Sequence, residues 1–305
     1  MITIGCDIGK NYFDIFLDGK YLKFENNNKG ISKFIKSCKG KDIEKVVLEP
    51  TGGYEKNLLK QLGLHAIPVS RVNPWYIRSF ANASGDLAKT DKIDAKLLSH
   101  YGEKMDSKLY EAKGEYLFDL EALTLRRDNI VQMLKEENSR LEKEAHSAVI
   151  KDIKKHIKYL EKTLENIETE IKNNVEKNVS KESEILRSEK GIGEKTVAIL
   201  LSQLPELGKI DNRKIAKLVG VAPMAHDSGV KTGKRFIRGG RKRVRNALFM
   251  ASLSAIRSNP KVKDFYQRLR IDGKPGKTAI VAVMRKLLII LNAKMRLFYE
   301  QKTTF

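Results

Sequence analysis

The stretch ITIGCDIGKNYFDIFLDGKYLKFEN, residues 2–26, decides the fold of the amino-terminal part of the chain. Its β-branched and aromatic residues are concentrated in three short runs, residues 2–8, 11–17 and 20–26. A Gly-Lys pair and an Asp-Gly pair separate these runs, and such pairs are typical of tight turns between strands. The stretch therefore predicts an antiparallel meander of three strands.

The segments that follow alternate between helix and strand patterns. Residues 30–38 predict a helix, KVVLEP at 45–50 predicts a buried strand, and residues 51–63 predict a loop and a helix. Residues 65–72 predict another strand, and a helix is expected to begin near Pro74. This order predicts an α/β domain with a mixed sheet and helices packed on it, over residues 1–110.

A charge-rich segment without proline follows, and two apolar seams run along it. Apolar residues separated by alternating steps of three and four predict long helices that pair along a coiled-coil seam. We therefore expect a coiled-coil arm over residues 111–187, used as a spacer and for oligomerisation. The helices could form an antiparallel hairpin or pair with another chain. The seams consist of Ile130, Leu134, Leu141, Ala145 and Ala148, and of Ile153, Ile157, Leu160, Leu164, Ile167, Ile171 and Val175.

Residues 188–305 predict a mostly α-helical carboxyl-terminal domain. Gly191 and Gly193 precede an apolar helical run, which indicates a helix-hairpin-helix-like segment whose backbone N–H groups contact a phosphate. Further on, a loop with Gly and Ser lies in strongly basic sequence and predicts contact with nucleic acid. The basic candidates are Lys231, Lys234, Arg235, Arg238, Arg241, Lys242, Arg243 and Arg245.

The overall charge points to the same class of partner. The 305 residues include 59 Lys and Arg against 38 Asp and Glu, a formal net charge of +21, which favours a polyanion such as nucleic acid. The sequence has no apolar run long enough to span a bilayer and no signal peptide, so we expect a cytoplasmic, nucleoid-associated protein without membrane contact. Cys6 and Cys38 lack the spacing of a disulfide framework or a zinc site and are expected to be buried.

The stretch KTDKIDA, residues 89–95, places Asp91 and Asp94 three residues apart. On a helix these carboxylates share a face and repel each other unless a positive charge compensates. Lys89 and Lys92 could provide that charge, and Lys89 is also a candidate contact to nucleic acid. A divalent cation is the second possibility, while the simplest reading is an acidic first turn of a helix.

Two further carboxylates close predicted strands, Asp7 the first strand and Glu49 the fourth. If these strands are neighbours, Asp7 and Glu49 meet Asp91 and Asp94 at one edge of the sheet. Four carboxylates can hold two Mg²⁺ ions about 3.5–4 Å apart, which is the arrangement used for phosphodiester displacement. The sequence thus predicts two bound Mg²⁺ ions.

Strand order and acid order together resemble a ribonuclease-H-like nuclease domain of the Holliday-resolvase type. More narrowly, the chain resembles the DEDD transposases of the insertion-sequence-110 family, the bridge-RNA-guided recombinases. The residues that carry the resemblance are CDIGK with Asp7, LEPTGGY with Glu49, VNP at 72–74, KTDKIDA, GIGEKTVAILL, GVAP at 220–223 and DSG with Ser228. The resemblance covers nearly the whole chain, and the order of the motifs is specific although each motif alone is weak.

The resemblance implies a divided catalytic site. Asp7, Glu49, Asp91 and Asp94 would be the metal-binding quartet, and Ser228 would be a nucleophile that forms a covalent protein–DNA link. It also implies a structured guide RNA that pairs with donor and target DNA. A homodimer or homotetramer would bring the first domain of one protomer to the second domain of another.

Two other functions remain open from the residues. The quartet alone could serve a junction-resolving, structure-selective endonuclease, in which Ser228 is an ordinary loop hydroxyl. The basic surface and the arm could also serve a non-catalytic nucleic-acid-binding scaffold. A hydrolase triad of His226, Asp227 and Ser228 is disfavoured, because triad members usually come from separate segments.

Overall fold

The computed structural model describes residues 1–85, 90–110, 114–224 and 235–303. The chain forms two compact units, Met1–Gly114 and Glu115–Phe305. The division into three domains, with boundaries at residues 110 and 187, stays a prediction.

The first unit contains the predicted mixed sheet of five strands, in the order β3-β2-β1-β4-β5. β1 pairs antiparallel with β2 and parallel with β4, and β4 pairs parallel with β5. β1, β4 and β5 therefore end at the same side of the sheet, which we call the carboxyl edge. The strands are β1 Ile2–Ile8, β2 Tyr12–Leu17, β3 Lys20–Glu25, β4 Ile43–Leu48 and β5 Val69–Arg71.

Helices cover both faces of this sheet. They are α1 Asn28–Cys38, α2 Lys56–Leu64, α3 Pro74–Ser84 and α4 Asp91–Lys104. On one face, the ring of Phe34 in α1 lies 5.7 Å from the rings of Phe13 and Phe24. Because side chains alternate along a strand, the residues of β1 and β2 that point away from α1 face α4.

Small residues allow α4 to lie directly on β1. A methyl group on Gly5 would overlap the carbonyl oxygen of Ala95 and the amide nitrogen of Ser99, and one on Gly102 would overlap Thr3 and Val47. The Ser99 hydroxyl donates a buried hydrogen bond of 2.8 Å to the Thr3 carbonyl. As α4 proceeds from residue 95 to residue 102, its contacts move from Gly5 back to Thr3, so its first turn lies beside the carboxyl end of β1.

α3 packs beside α4. Ile77 lies in one buried cluster with Val47 of β4 and Leu97 of α4, and the rings of Phe80 and Tyr101 meet edge to face at 5.5 Å. α3 begins three residues after β5 ends, and the Asn73 side chain caps its first turn by accepting from the Trp75 N–H. The amino ends of α3 and α4 therefore both lie at the carboxyl edge.

The described part of the second unit is helical apart from one isolated β-bridge, between Met224 and Phe236. Its largest buried cluster joins residues from α5 to α11, including Leu120, Ile171, Leu200, Leu248 and Leu288. The helices are α5 Glu115–Leu141, α6 Ser147–Arg187, α7 Glu194–Gln203, α8 Asn212–Val219, α9 Lys242–Ser258, α10 Pro260–Ile271 and α11 Gly276–Thr303.

α5 and α6 pair with each other within the chain as an antiparallel hairpin. Arg127 bonds to Glu168 at 2.9 Å and Glu137 contacts His156 at 3.1 Å, so positions that advance along α5 recede along α6. The predicted seam of α6 is buried or half-buried throughout.

The predicted seam of α5 is wrong at its end, at Ala145 and Ala148. Both alanines are exposed because α5 stops at Leu141 and the turn to α6 intervenes. Supercoiling of the pair stays a prediction.

Cys6 and Cys38 are both buried and free, as predicted. Within the four described ranges, none of the helices is long and apolar enough to cross a membrane.

Candidate active site

Asp7 stands near the end of β1 and faces α4. Thr3 and Gly5 contact α4, and Asp7 follows them on the same side of the strand because side chains alternate. Its carboxyl group is half-buried at the carboxyl edge. The central position of β1, between β2 and β4, thus places Asp7 in the middle of that edge.

Asp91 and Asp94 occupy the first turn of α4, and Thr90 fixes where that turn begins. The Thr90 hydroxyl accepts a hydrogen bond of 3.3 Å from the Ile93 N–H, as an N-cap residue does. Asp91 is exposed and Asp94 half-buried. Since the first turn lies beside the end of β1, both carboxylates approach Asp7.

Glu49 directly follows β4 and is half-buried. The parallel register pairs Cys6 with Leu48, so the next position along each strand brings Asp7 beside Glu49. The first and fourth strands are thus neighbours, which is the condition under which Asp7 and Glu49 come together.

The acids near Asp7 affect the pKa of its carboxyl group. Burial raises the pKa of the Asp7 carboxyl, and the negative charges of Asp94, Asp91 and Asp14 raise it further, to about 6. A hydrogen bond from the Ile8 N–H opposes this rise only in part. A carboxyl group crowded by like charges is typical of catalytic sites and cation sites.

Asp14 is an acid of this cluster that the sequence analysis missed. It pairs with Asp7 across β1 and β2, so both side chains lie on the α4 face. Asp14 is almost fully buried and contacts Lys23 at 3.5 Å. The predicted Gly9-Lys10 turn would place Tyr12 opposite Asp7. In the structure the turn residues are Lys10 and Asn11, the Gly9 N–H donates to the Tyr12 carbonyl, and Asp14 comes opposite Asp7 instead.

Glu55 is a second residue that the sequence analysis missed. It is 1% exposed and organises the loop after Glu49, because it accepts hydrogen bonds from the N–H groups of Thr51 and Gly53 at 3.2 and 2.9 Å. Arg71, the last residue of β5, donates to it at 2.8 Å. Burial alone would raise the pKa of Glu55, but these hydrogen bonds and Arg71 bring it below its usual value. Glu55 thus shapes the edge without joining the acidic cluster.

The carboxylates fit a hard divalent cation in the type of their donor atoms and in their charge, because such cations prefer carboxylate oxygens. Burial is the main cause of the raised pKa of Asp7, and the further rise caused by Asp94, Asp91 and Asp14 reflects a repulsion that a bound cation would relieve. In the side-chain arrangement of the described residues, however, no group of three or more His, Cys, Asp or Glu residues is placed so that it could hold a metal ion. The predicted pair of Mg²⁺ ions therefore stays a prediction.

Comparisons with known proteins show the family of the chain. A DEDD transposase model of the IS110 group matches residues 4–149, and a model described as the transposase IS116/IS110/IS902 family matches residues 183–267. The chain is 31% identical to the pilin gene-inverting proteins of Moraxella bovis and Moraxella lacunata, over 96% of this chain and 95% of each relative.

The chain belongs to the IS116/IS110/IS902 family of transposases. It is also 28% identical, over 39% of its length and 31% of the relative, to an uncharacterized protein of insertion element IS110 from Streptomyces coelicolor. The predicted enzyme class, a DNA recombinase or transposase, is therefore confirmed. The mixed sheet fits the ribonuclease-H-like fold expected of a DEDD domain, with a helical carboxyl-terminal part.

Four candidate residues of the transposase lie outside the described residues. They are Lys89, Ser228, Lys231 and Lys234. Their roles stay predictions.

Three candidate arginines of the transposase bind other parts of the second unit. Arg241 forms a two-pronged ion pair with Glu206 at 2.5 and 2.6 Å, and Arg243 bonds to Asp128 at 2.7 Å. Arg245 donates to the Gly239 carbonyl. These contacts link the start of α9 to other segments of the unit, so the arginines have a structural use whether or not they also contact nucleic acid.

The remaining basic candidates are exposed. Arg235, Arg238 and Lys242 all present their side chains to solvent near the start of α9. A cation in this position is available for a phosphate contact. Their contact with nucleic acid stays a prediction.

The two candidate glycines lie between α6 and α7. Gly191 has a φ of 99° and presses on Ala255, where a methyl group would collide, so its conformation and its packing both require glycine. Gly193 is the exposed N-cap of α7 and leaves the backbone accessible. The packing of Gly191 explains its presence without a phosphate, and the helix-hairpin-helix function stays a prediction.

Proposed function

We propose that the transposase cuts and rejoins DNA strands at a centre formed by Asp7, Glu49, Asp91 and Asp94, with Ser228 as the nucleophile. The observation that carries the proposal is that Asp7, Glu49 and the first turn of α4 lie together at the carboxyl edge of a chain that belongs to a transposase family. Gathering like charges costs stability, and active sites are where proteins retain such arrangements.

The four carboxylates would hold one or two Mg²⁺ ions through their oxygen atoms. A bound divalent cation would neutralise the phosphate and stabilise the charge that develops on its oxygens during displacement. The protein supplies rigidity, because Gly5 and Ala95 fix α4 on β1 and Thr90 fixes the start of the turn that carries Asp91 and Asp94.

The serine step conserves the energy of the broken bond. The Ser228 Oγ attacks a backbone phosphorus atom, a new phosphorus–oxygen bond forms to the serine, and the bond to the deoxyribose oxygen breaks. The proton of the serine hydroxyl passes to the departing deoxyribose oxygen. Reversal of this step on a second DNA end rejoins the strands, which a rearranging enzyme needs and a simple nuclease does not.

The full-length similarity to pilin gene-inverting proteins supports rejoining over cutting alone. We further propose that a structured guide RNA selects donor and target DNA, as the family resemblance implies. The net charge of +21 suits a complex with both RNA and DNA. A homodimer would supply two sets of carboxylates and serines, and a homotetramer four, for the strands that are cut and rejoined.

The carboxylates are tested by Asp7→Asn and Asp94→Asn on a plasmid that carries the gene with its flanking DNA. We expect both variants to abolish recombination and strand cleavage, while Asp106→Asn, an exposed acid beyond the far end of α4, retains them. Undiminished cleavage by Asp7→Asn would exclude the proposed centre.

Ser228→Ala separates recombination from simple cleavage. We expect the variant to lose the covalent protein–DNA adduct, detected by denaturing electrophoresis of labelled DNA with the protein. If Ser228→Ala still cuts DNA but no longer rejoins it, the junction-resolving endonuclease is favoured. If it still rejoins strands, the serine mechanism is wrong.

The guide RNA is tested by purifying the protein from cells that carry the gene in its native surroundings and sequencing the bound RNA. One discrete structured RNA encoded beside the gene is the expected result. A heterogeneous mixture of fragments would contradict RNA guidance and leave the carboxylate centre untouched.

A further inference from the structure

Exposed aromatic side chains stand at the carboxyl edge, close to the acidic cluster. Trp75 and Tyr76, in the first turn of α3, are 67% and 52% exposed, and Tyr54, in the loop after β4, is 49% exposed. The Asn26 amide donates to the carbonyls of both Gly9 and Tyr54, which ties this loop to the end of β1. We call Tyr54, Trp75 and Tyr76 the aromatic rim.

The strand order places the aromatic rim and the carboxylates at the same edge of the sheet. β1, β4 and β5 are consecutive neighbours, so the ends of β1 and β5 are about 10 Å apart at the usual strand spacing. Trp75 follows the end of β5 by four residues, and Asp7 stands at the end of β1. A nucleic-acid strand that enters the acidic cluster can therefore pass the aromatic rim at this edge.

The rim is ordered although it is exposed. The rings of Trp75 and Tyr76 meet edge to face at 5.3 Å, the Trp75 N–H bonds to Asn73, and the Trp75 carbonyl accepts from Ser79. An aromatic pair that is held in place loses little conformational entropy when a flat partner stacks on it. Keeping two large aromatic rings in water has no packing benefit for the fold itself.

The charges around the rim indicate the kind of partner. Lys10, Arg78 and Lys92 are exposed on the turn after β1, on α3 and on the first turn of α4. Cations beside exposed aromatic rings suit a strand that presents phosphates and bases together, since aromatic side chains stack on bases and cations pair with the backbone. An apolar protein partner would not need these charges.

We propose that Trp75 stacks on an unpaired base of the DNA strand whose phosphate enters the acidic cluster. The inference rests on the proposed function, because it assigns the strand to that centre. Stacking holds the strand at a fixed distance from Asp7 and compensates part of the cost of separating a base from its partner. Trp75 acts as a positioning residue, and Tyr76 supports its ring from the side.

The single tryptophan of the chain makes the inference measurable. All tryptophan fluorescence reports Trp75, and stacking of a base quenches it. The probes are a short single-stranded oligonucleotide of mixed sequence and an oligonucleotide of equal length whose bases are removed, both with an end dye and both in the presence of a chelator. We expect strong quenching by the first probe and little by the second, although dye anisotropy reports binding of both.

Variants test the contribution to affinity. Trp75→Ala should bind the mixed oligonucleotide about 5- to 100-fold more weakly, and Trp75→Phe should stay within about threefold of the wild type. Tyr159→Ala is the matched control, because Tyr159 is 66% exposed on α6 and lies in the other unit. It should bind as the wild type does.

Other results would contradict stacking of a base on Trp75. Quenching by the base-free probe as strong as by the normal one would overturn stacking, as would bound DNA that leaves the fluorescence unchanged. A Trp75→Ala variant with wild-type affinity but a changed oligomeric mass in sedimentation would assign the rim to a protein interface instead.

The carboxylate variant separates this inference from the proposed function. Asp7→Asn should retain the quenching, because stacking needs no catalysis. If Asp7→Asn cuts DNA, the proposed centre fails and the fluorescence result still decides the role of Trp75.

Discussion

Asp7 and Glu55 are carboxylates at the same edge of one sheet, and their pKa values move in opposite directions. Burial acts against ionisation in both. Glu55 is compensated by backbone N–H donors and by Arg71, so its pKa falls. Asp7 has Asp94, Asp91 and Asp14 around it, so its pKa rises to about 6. The ionised form of Glu55 is thus stabilised by its neighbours at the edge, whereas the ionised form of Asp7 is destabilised by them.

Burial by itself therefore does not identify a functional acid. Glu55 is the more deeply buried of the two, yet its environment satisfies it. What distinguishes Asp7 is that its strongest charged neighbours carry its own sign. The following predictions act on one side of this comparison at a time.

The largest effect is expected from Gly5→Ala. The added methyl group would collide with the backbone of Ala95 and Ser99, so α4 must move off β1 at a cost of about 3 kcal/mol in the free energy of unfolding. Asp91 and Asp94 would then retreat from Asp7 and cleavage should fall with stability. Urea unfolding and plasmid cleavage measure the two effects. Gly276→Ala is the control, since a methyl group there would meet nothing closer than 3.8 Å.

Glu55→Gln should lower the free energy of unfolding by about 2 kcal/mol at pH 7, because it removes the charge from bonds to Arg71 and two N–H groups. A carboxyl group with a lowered pKa contributes stability above its unfolded pKa and loses it as the pH falls. The difference in the free energy of unfolding between the variant and the wild type should therefore become smaller below pH 4. Urea titrations at pH 7 and pH 3.5 measure it, and a gap independent of pH would contradict the charged role of Glu55.

Asp7→Asn should change the free energy of unfolding in the opposite direction to Glu55→Gln. The raised pKa means that the wild type loses stability as the pH rises through about 6, whereas asparagine does not ionise. Without divalent cations we expect the variant to be more stable by about 1–2 kcal/mol at pH 8, after allowance for solvent screening, and equal at pH 4. Thermal unfolding in a chelator measures the difference. A variant less stable at pH 8 would show that Asp7 is satisfied in the fold.

The smallest effect is expected from Arg238→Ala, because Arg238 is an exposed arginine and, unlike Arg241, is not described in an ion pair that stabilises the fold. Arg238→Ala should change unfolding by less than about 0.5 kcal/mol but weaken binding to duplex DNA and lower the salt slope by about one. Arg241→Ala removes the ion pair with Glu206 and should destabilise the second unit instead. Binding titrations over a range of salt concentrations separate the two, and an unchanged slope for Arg238→Ala would place this residue outside the interface.

Much of the first unit follows from local sequence. The runs at residues 2–26 specify the meander because alternating apolar residues and tight turns act over short distances. Asp7 and Glu49 can be recognised because each stands at the end of a predicted strand, whereas the adjacency of β1 and β4 is not local, since α1 leads from β3 past β2 and β1. The four acids could thus be named from the sequence.

The partners of individual charges were not predictable. The sequence shows Arg241 and Arg243 as part of a basic run, but their partners Glu206 and Asp128 lie 35 and 115 residues away, and only tertiary packing brings them together. For the same reason the sequence did not mark Glu55, whose partner Arg71 lies 16 residues away. Asp14 was missed because the turn of the first hairpin lies at Lys10 and Asn11 and not at Gly9 and Lys10 as predicted.

The contact of α4 with β1 also sets the order in which the protein is completed during synthesis. The Ser99 hydroxyl donates to the Thr3 carbonyl, 96 residues earlier in the chain. β1 is therefore synthesised long before α4, the last helix of the first unit, which packs on it. At ordinary rates of translation this interval is roughly 5 to 20 s. A nascent chain that ends before Asp94 has Asp7 but not the acidic cluster, so the carboxylates of the proposed centre cannot come together until α4 has been made.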